Sequence, residues 1–194
     1  MNRLRHLPAG LAAGALVAAT VLAAPAATAA QAPSERATVV TALGYDSTGW
    51  TYRQVPATTQ VPGFAGRGFD DSAWPTGQAG FGTTNGTCSW NNKTSVKTPW
   101  AVNTDLLVRH WVHLPRDAQQ VRIQGTVDND AEVYFNGDLL QTVKSGKCAA
   151  GAIDVVVPVA DLDCCNLLAV RAHDAGVATY LNLRVTYVKP TQAL

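Results

Sequence analysis

The sequence predicts an all-β antiparallel sandwich, and three observations carry that prediction. Short runs alternate apolar and polar residues with a period of two; clusters of Gly, Asn, Asp, Ser and Pro separate them; and beyond residue 30 no long stretch keeps a helical period. Residues 121–137 (VRIQGTVDNDAEVYFNG) show all three. Val121, Ile123, Gly125 and Val127 fall on one face of a strand, and Arg122, Gln124 and Thr126 on the other. Asp128, Asn129 and Asp130 then read as a turn, because short Asx side chains bond to nearby backbone and tolerate the left-handed region. Ala131, Val133 and Phe135 alternate with Glu132 and Tyr134 in a second strand, and Asn136-Gly137 is the strongest short-range hairpin signal. Three antiparallel strands are expected, with the DND loop at one end, here the top, and the NG turn at the bottom.

In chain order, residues 37–43 (ATVVTAL) and 50–53 (WTYR) are expected strands, joined by a Gly-Tyr-Asp-Ser-Thr-Gly turn, and 56–68 is loop. Asp70 and Asp71 ahead of Ser72-Ala73-Trp74 predict a cap and one helical turn, which Pro75 stops. A long loop over 82–103 carries Cys88, Trp90 and Trp100. In residues 106–114 (LLVRHWVHL), Leu106, Val108, His110, Val112 and Leu114 share one strand face; Arg109, Trp111 and His113 share the other, and Pro115 ends the strand. Further strands follow at 139–143, at 153–159 with Ile153, Val155, Val157 and Val159 alternating, at 167–173, and at 180–188. Between them lie loops at 144–151 and 161–166 and a turn at 174–176. Following direction along the chain puts the loop at 82–103, the DND corner, the loop at 144–151 and His173-Asp174 at the top. The loop at 161–166 falls at the bottom.

Residues 1–30 read as a secretory leader: Arg3, Arg5 and His6 precede an apolar, Ala-rich stretch that ends in the small-x-small site Ala27-Thr28-Ala29. Residues 31–194 are then expected to form one exported domain, large enough to bury its own core. Of the 15 basic side chains, Arg3 and Arg5 fall in the leader, leaving 13 against 14 acidic ones. That balance, with no basic run, argues against nucleic acid as a partner, and no later segment is apolar enough to span a bilayer. All four cysteines, Cys88, Cys148, Cys164 and Cys165, lie in the exported part, where disulfides persist. The up-and-down order favours a Cys88–Cys148 disulfide between two top loops, worth roughly 2–4 kcal/mol. Cys164 and Cys165, at the bottom, are left to form a vicinal disulfide, stay reduced, or pair with another chain.

The run FDDSAW, then GQAGFG, a long loop, LLVRHWVHLP, VDNDAEVYFNG and NLLAVRAHDAG resembles the galactose-binding-like jelly-roll modules of secreted bacterial proteins, over about residues 50–188. The resemblance implies an antiparallel jelly-roll β-sandwich of the carbohydrate-binding-module type, standing alone without a catalytic domain. It implies that Phe69 and Trp74 pack rather than bind. Modules of this fold often carry a structural ion, so a calcium at the oxygen-rich DND loop beside His173-Asp174 is a candidate, although the spacing fits no EF-hand. The Cys164-Cys165 pair departs from the family's usual Gly/polar loop.

The sequence offers little for catalysis. His110 and His113 have the spacing of a helical zinc pair, but on a strand residues three apart point to opposite faces. No G-x-S-x-G, H-E-x-x-H or Gly-rich phosphate loop is present. A glycosidase needs two carboxyls about 5–10 Å apart across a cleft, whereas Asp70-Asp71 and Asp128/Asp130 sit where local capping explains them. A non-enzymatic role follows. A sugar presents hydroxyls to Asp, Asn and His and an apolar face to an aromatic ring, and the top loops gather Trp90, Asn91, Trp100, Asp128, Asn129, Asp130, His173 and Asp174. One reading makes these the ligand site of a secreted, non-catalytic glycan-binding module. In the other, Trp90 and Trp100 close the end of the sandwich, the Asx residues cap turns, and the domain is a structural or protein-interaction one that holds a secreted partner. The exposure of the two tryptophans decides between them.

Overall fold

The structure is a computed structural model that describes residues 37–83 and 96–190. In chain order the strands are β1 (Thr38–Leu43), β2 (Thr48–Pro56), β3 (Thr76–Gln78), β4 (Phe81–Gly82), β5 (Thr98–Pro99), β6 (Thr104–His113), β7 (Gln119–Asp128), β8 (Asp130–Phe135), β9 (Asp138–Lys144), β10 (Ala149–Val156), β11 (Cys165–His173) and β12 (Tyr180–Lys189). They form two six-stranded sheets. The first runs β10-β7-β12-β4-β5, with β1 also paired to β12, and the second runs β3-β2-β6-β11-β8-β9. Every pairing is antiparallel except that of the two short strands β4 and β5. Among the described residues no helix is long and apolar enough to cross a membrane.

The alternation that defines the strands also builds the core. Leu106, Val108 and Val112 of β6, Val121, Ile123 and Val127 of β7, Leu168, Val170 and Ala172 of β11, and Leu181, Leu183 and Val185 of β12 meet between the sheets. Trp50 and Phe81 close the packing edge to face, with ring centroids 6.3 Å apart at 87°. The NG turn joins β8 to β9 as expected: Asn136 and Gly137 hold φ of 54° and 103°, as a two-residue primed turn requires.

Three expectations are corrected. The DND segment is not a hairpin turn, because β7 and β8 belong to different sheets. Val127 and Asp128 pair with Leu181 and Tyr180 of β12, while Asp130 pairs with His173 of β11, so Asn129 carries the chain across the sandwich. A period of two identifies strands but not their partners, and both arrangements suit the same alternation. Ser72-Ala73-Trp74 makes a tight turn and no helix: Trp74 N donates to Asp71 O at 2.9 Å, Ser72 N donates to Asp70 Oδ1 at 3.0 Å, and Pro75 follows. The strand expected at 153–159 also stops early, β10 running Ala149–Val156 before a short 3-10 turn, Val159–Asp161.

Gly125 marks where β7 and β12 approach most closely in the core. A Cβ there would stand 2.5 Å from Asn182 O and 2.6 Å from Leu183 Cδ2. Gly125→Ala is therefore expected to destabilise the fold by about 1–3 kcal/mol, the usual cost of overpacking, as a lower urea midpoint with an unchanged slope.

Candidate functional site

The outer face of the second sheet carries the most concentrated polar chemistry of the described residues. On β11 the residues that alternate with the core are Ala169, Arg171 and His173, and the register sets them in rows across the sheet. His173 lies between Asp105 of β6 and Asp130 of β8, Arg171 between Leu107 and Glu132, and Ala169 between Arg109 and Tyr134. Segment 57–75, between β2 and β3, covers the lower rows. Phe64 and Ala65 pack on Val55, Leu107 and Ala169, and the Phe64 ring meets Tyr134 edge to face at 5.6 Å.

Arg109 holds that segment down. It is 2% exposed and reaches through the face to bond Asp71 Oδ2 at 2.5 Å and Gly66 O at 2.9 Å, with its guanidinium 5.3 Å from the Phe69 ring. Thr51 Oγ1 donates to the same Asp71 oxygen. The FDDSAW run and the arginine before the aromatic in LLVRHWVHL are thus two halves of one buried tether.

Above the covered rows the face opens into a pocket of about 270 Å³, walled by Thr58 and Gln60 on one side and by β8 and β9 on the other. At its floor Asp105, 1% exposed, accepts from Arg171 Nε at 2.9 Å, from Arg171 Nη2, and from His173 Nδ1 at 2.6 Å. Arg171 Nη2 also reaches Thr59 O at 2.9 Å, which ties the covering segment to the pocket wall. One buried carboxylate therefore orients both basic groups, leaving His173 Nε2 directed away from it. Asp130 Oδ1 accepts Ser145 N at 2.8 Å and Gly146 N at 2.9 Å, and Lys144 Nζ stands 3.8 Å from Asp130 Oδ2. Tyr134 donates its hydroxyl to Glu132 Oε2 at 2.8 Å. Burial first, and then the bond to Glu132 and its charge, push the Tyr134 phenol up to about 12, so it remains a donor over the physiological range.

The residues expected at the top separate into distinct roles. Asp130 and His173 line the pocket. Asp128, Asn129 and Asp174 lie together behind it, but buried: Asn129 Nδ2 donates to Asp128 Oδ1 at 2.7 Å, Asn129 Oδ1 accepts Ala175 N at 2.8 Å, and Asp174 Oδ2 accepts Asn103 N at 2.6 Å. Trp100 is corrected from ligand platform to core residue. It is 1% exposed, with its indole N–H donating to Thr104 Oγ1 at 3.0 Å, so its face is not available to a sugar. Trp90, Asn91 and Cys88, and with Cys88 the disulfide to Cys148, lie outside the described residues. Asp105, Glu132, Lys144, Arg171, Thr58 and Gln60 were not anticipated. The partial signal was the run R-x-H at 171–173, which sets two basic side chains next to each other on the outward face of one strand.

For the calcium expectation, the relevant donors are Asp128, Asp174 and Asn129. Asp174 Oδ1 is buried and accepts no hydrogen bond among the described residues, and desolvation, then the nearby Asp174 charge, raise the Asp128 carboxyl above its ordinary value. Two carboxylates and an amide oxygen suit a hard cation, but they are fewer than the six to eight oxygens calcium takes. No group of three or more His, Cys, Asp or Glu side chains among the described residues is arranged to hold a metal ion.

No protein-family model matches the chain, and no curated protein matches it. Solved structures do resemble it. A β-glucuronidase from Bacteroides uniformis superposes with a TM-score of 0.53 at 16% identity, over 78% of this chain and 18% of that chain. Bacteroides uniformis β-glucuronidase 2 covalently bound to cyclophellitol-6-carboxylate aziridine gives the same values. A β-glucuronidase from glycoside hydrolase family 2 gives a TM-score of 0.50 at 15% identity, over 79% of this chain and 18% of that one. At such identities the likeness is one of fold: this all-β sandwich also occurs within carbohydrate-processing enzymes, of whose length the chain matches less than a fifth.

Because the protonated form of Asp128 is favoured by folding, its contribution is complete below the ordinary carboxyl value of 3.8 and is lost as pH rises through the higher value in the folded chain. Asp128→Asn keeps an oxygen for Asn129 Nδ2 and removes the repulsion with Asp174. It is expected to raise Tm by a few degrees at neutral pH, with the gain over wild type shrinking to nothing in a melting series carried below that ordinary value.

Proposed function

We propose that this chain is an exported, non-catalytic carbohydrate-binding β-sandwich whose ligand seats in the pocket on the outer face of the second sheet. The observation that carries the reading is the built floor of that pocket: Asp105, buried, holds Arg171 and His173 in place, while Glu132, Lys144, Gln60 and Thr58 surround the space with further hydrogen-bonding groups. Oriented donors and acceptors facing a volume of one or two sugar rings are what a polyhydroxylated ligand needs. The occurrence of the fold within β-glucuronidases supports a carbohydrate setting. Binding proceeds without a metal in this reading.

The alternative of a partner-holding domain draws on the burial of Trp100, which that reading expects, and on Cys164 and Cys165, which are free thiols at the opposite end with sulfurs 3.5 Å apart, Cys164 exposed. A covalent dimer or mixed disulfide on a non-reducing gel, abolished by Cys164→Ser and Cys165→Ser together, would favour it.

The glycan reading predicts retention of the mature protein on at least one insoluble polysaccharide or glycan-array spot. His173→Ala and Lys144→Ala are each expected to weaken that binding by roughly tenfold or more, the worth of one hydrogen bond to a charged group, with far-UV CD and Tm near wild type. Unchanged retention in both variants would reject the pocket as the site. Chelator is expected to leave both retention and Tm intact.

A further inference from the structure

We infer that the pocket takes an uncharged sugar unit and turns away uronates, with Glu132 as the selecting residue. The inference rests on the glycan reading and extends it to the class of sugar. The pocket's two permanent cations, Arg171 and Lys144, already face carboxylates, and three acids, Asp105, Asp130 and Glu132, stand against them. Arg171 gives two of its nitrogens to Asp105, and the same buried carboxylate takes the ring N–H of His173. Lys144 stands over Asp130 at the mouth with its side chain 70% exposed. Glu132 is the exception. It lies half-buried directly across the ladder from Arg171, and among the described residues it makes no ion pair; its one bond is to the neutral Tyr134 hydroxyl, through Oε2.

The charge left uncompensated at the centre of the site is therefore negative. A sugar hydroxyl brings Glu132 the proton it needs, donating to the carboxylate while its own oxygen accepts from Arg171 or from the imidazole. A ligand carboxylate brings no proton, meets Glu132 as a like charge in a partly desolvated space, and must compete with Asp105 and Asp130 for the site's two permanent cations. The chemistry thus favours a neutral hexose or pentose unit with adjacent hydroxyls. It separates this pocket from any site built for glucuronate, whatever the shared fold.

The test uses the mature chain and matched oligosaccharide pairs that differ only in C6: gluco-, manno- and galacto-oligosaccharides against their uronate counterparts, with xylo-oligosaccharide as a neutral ligand lacking C6, measured by calorimetry. The strongest ligand is expected to be neutral, with its uronate counterpart weaker by about tenfold or more. Glu132→Gln, whose amide oxygen still accepts from Tyr134, is expected to weaken the neutral ligand and to narrow the gap to the uronate. A uronate that binds as tightly as its neutral counterpart overturns the inference while leaving the glycan reading standing. A gap that survives unchanged in Glu132→Gln overturns the role given to Glu132. Binding to none of the ligands, neutral or acidic, would remove the glycan reading and the inference with it.

Discussion

The buried pair of Arg109 and Asp71 is the constraint on which the rest of the outer face depends. Segment 57–75 has no regular structure of its own, and its apolar patch of Phe64 and Ala65 is small. An arginine 2% exposed is costly to desolvate unless its charge is met, and it is met by this segment through the Asp71 carboxylate, the Gly66 carbonyl and the Phe69 ring, with Nε alone left without a hydrogen bond among the described residues. Lifting the segment would leave the guanidinium buried without a counterion. The segment is therefore held by the penalty of its absence more than by the strength of its contacts, and the wall formed by Thr58 and Gln60 is fixed along with it.

The DND corner supplies the second constraint. By crossing between sheets at Asn129, the chain sets the end of β7 against β12 and the start of β8 against β11. Asp128 is thereby turned inward beside Asp174, and Asp130 outward beside His173. Neighbouring acids of one short motif end in opposite environments, one desolvated and raised above its ordinary range, the other bonded to Ser145 and Gly146 at the pocket's edge. Burying Asp174 with one oxygen that accepts no hydrogen bond among the described residues costs stability that the surrounding sandwich must supply.

Much of this was legible in the residues. Alternation located most strands to within a few positions, the NG hairpin followed from turn chemistry, and direction along the chain correctly brought the DND segment and His173-Asp174 to one rim. What alternation does not encode is which strands pair, because a period of two looks the same for a hairpin and for a strand that changes sheets. It also cannot tell which face of a strand is covered. Leu107, Arg109 and Ala169 read as outward-facing, yet they are buried because a loop lies over them. The same uncertainty misplaced Trp100, whose indole finds its hydrogen-bond partner in Thr104, the first residue of the strand that the loop precedes. The pocket was half visible, through Asp130 and His173. The rest, Asp105, Glu132 and Arg171, comes from three different strands brought into line by register, and register is a property of pairs that no single stretch records.

The two walls of the pocket are made in different ways. Its floor and one side are ladder residues whose replacement disturbs the packing of a sheet, whereas the opposite side is a short length of irregular backbone fastened at Arg109 and touched at Thr59. Variation at Gln60 is thus nearly free of folding cost, whereas Thr58, at a φ of 69°, admits fewer replacements; a lineage drifting toward new ligands would be expected to rewrite Gln60 first while the acidic floor stays as it is.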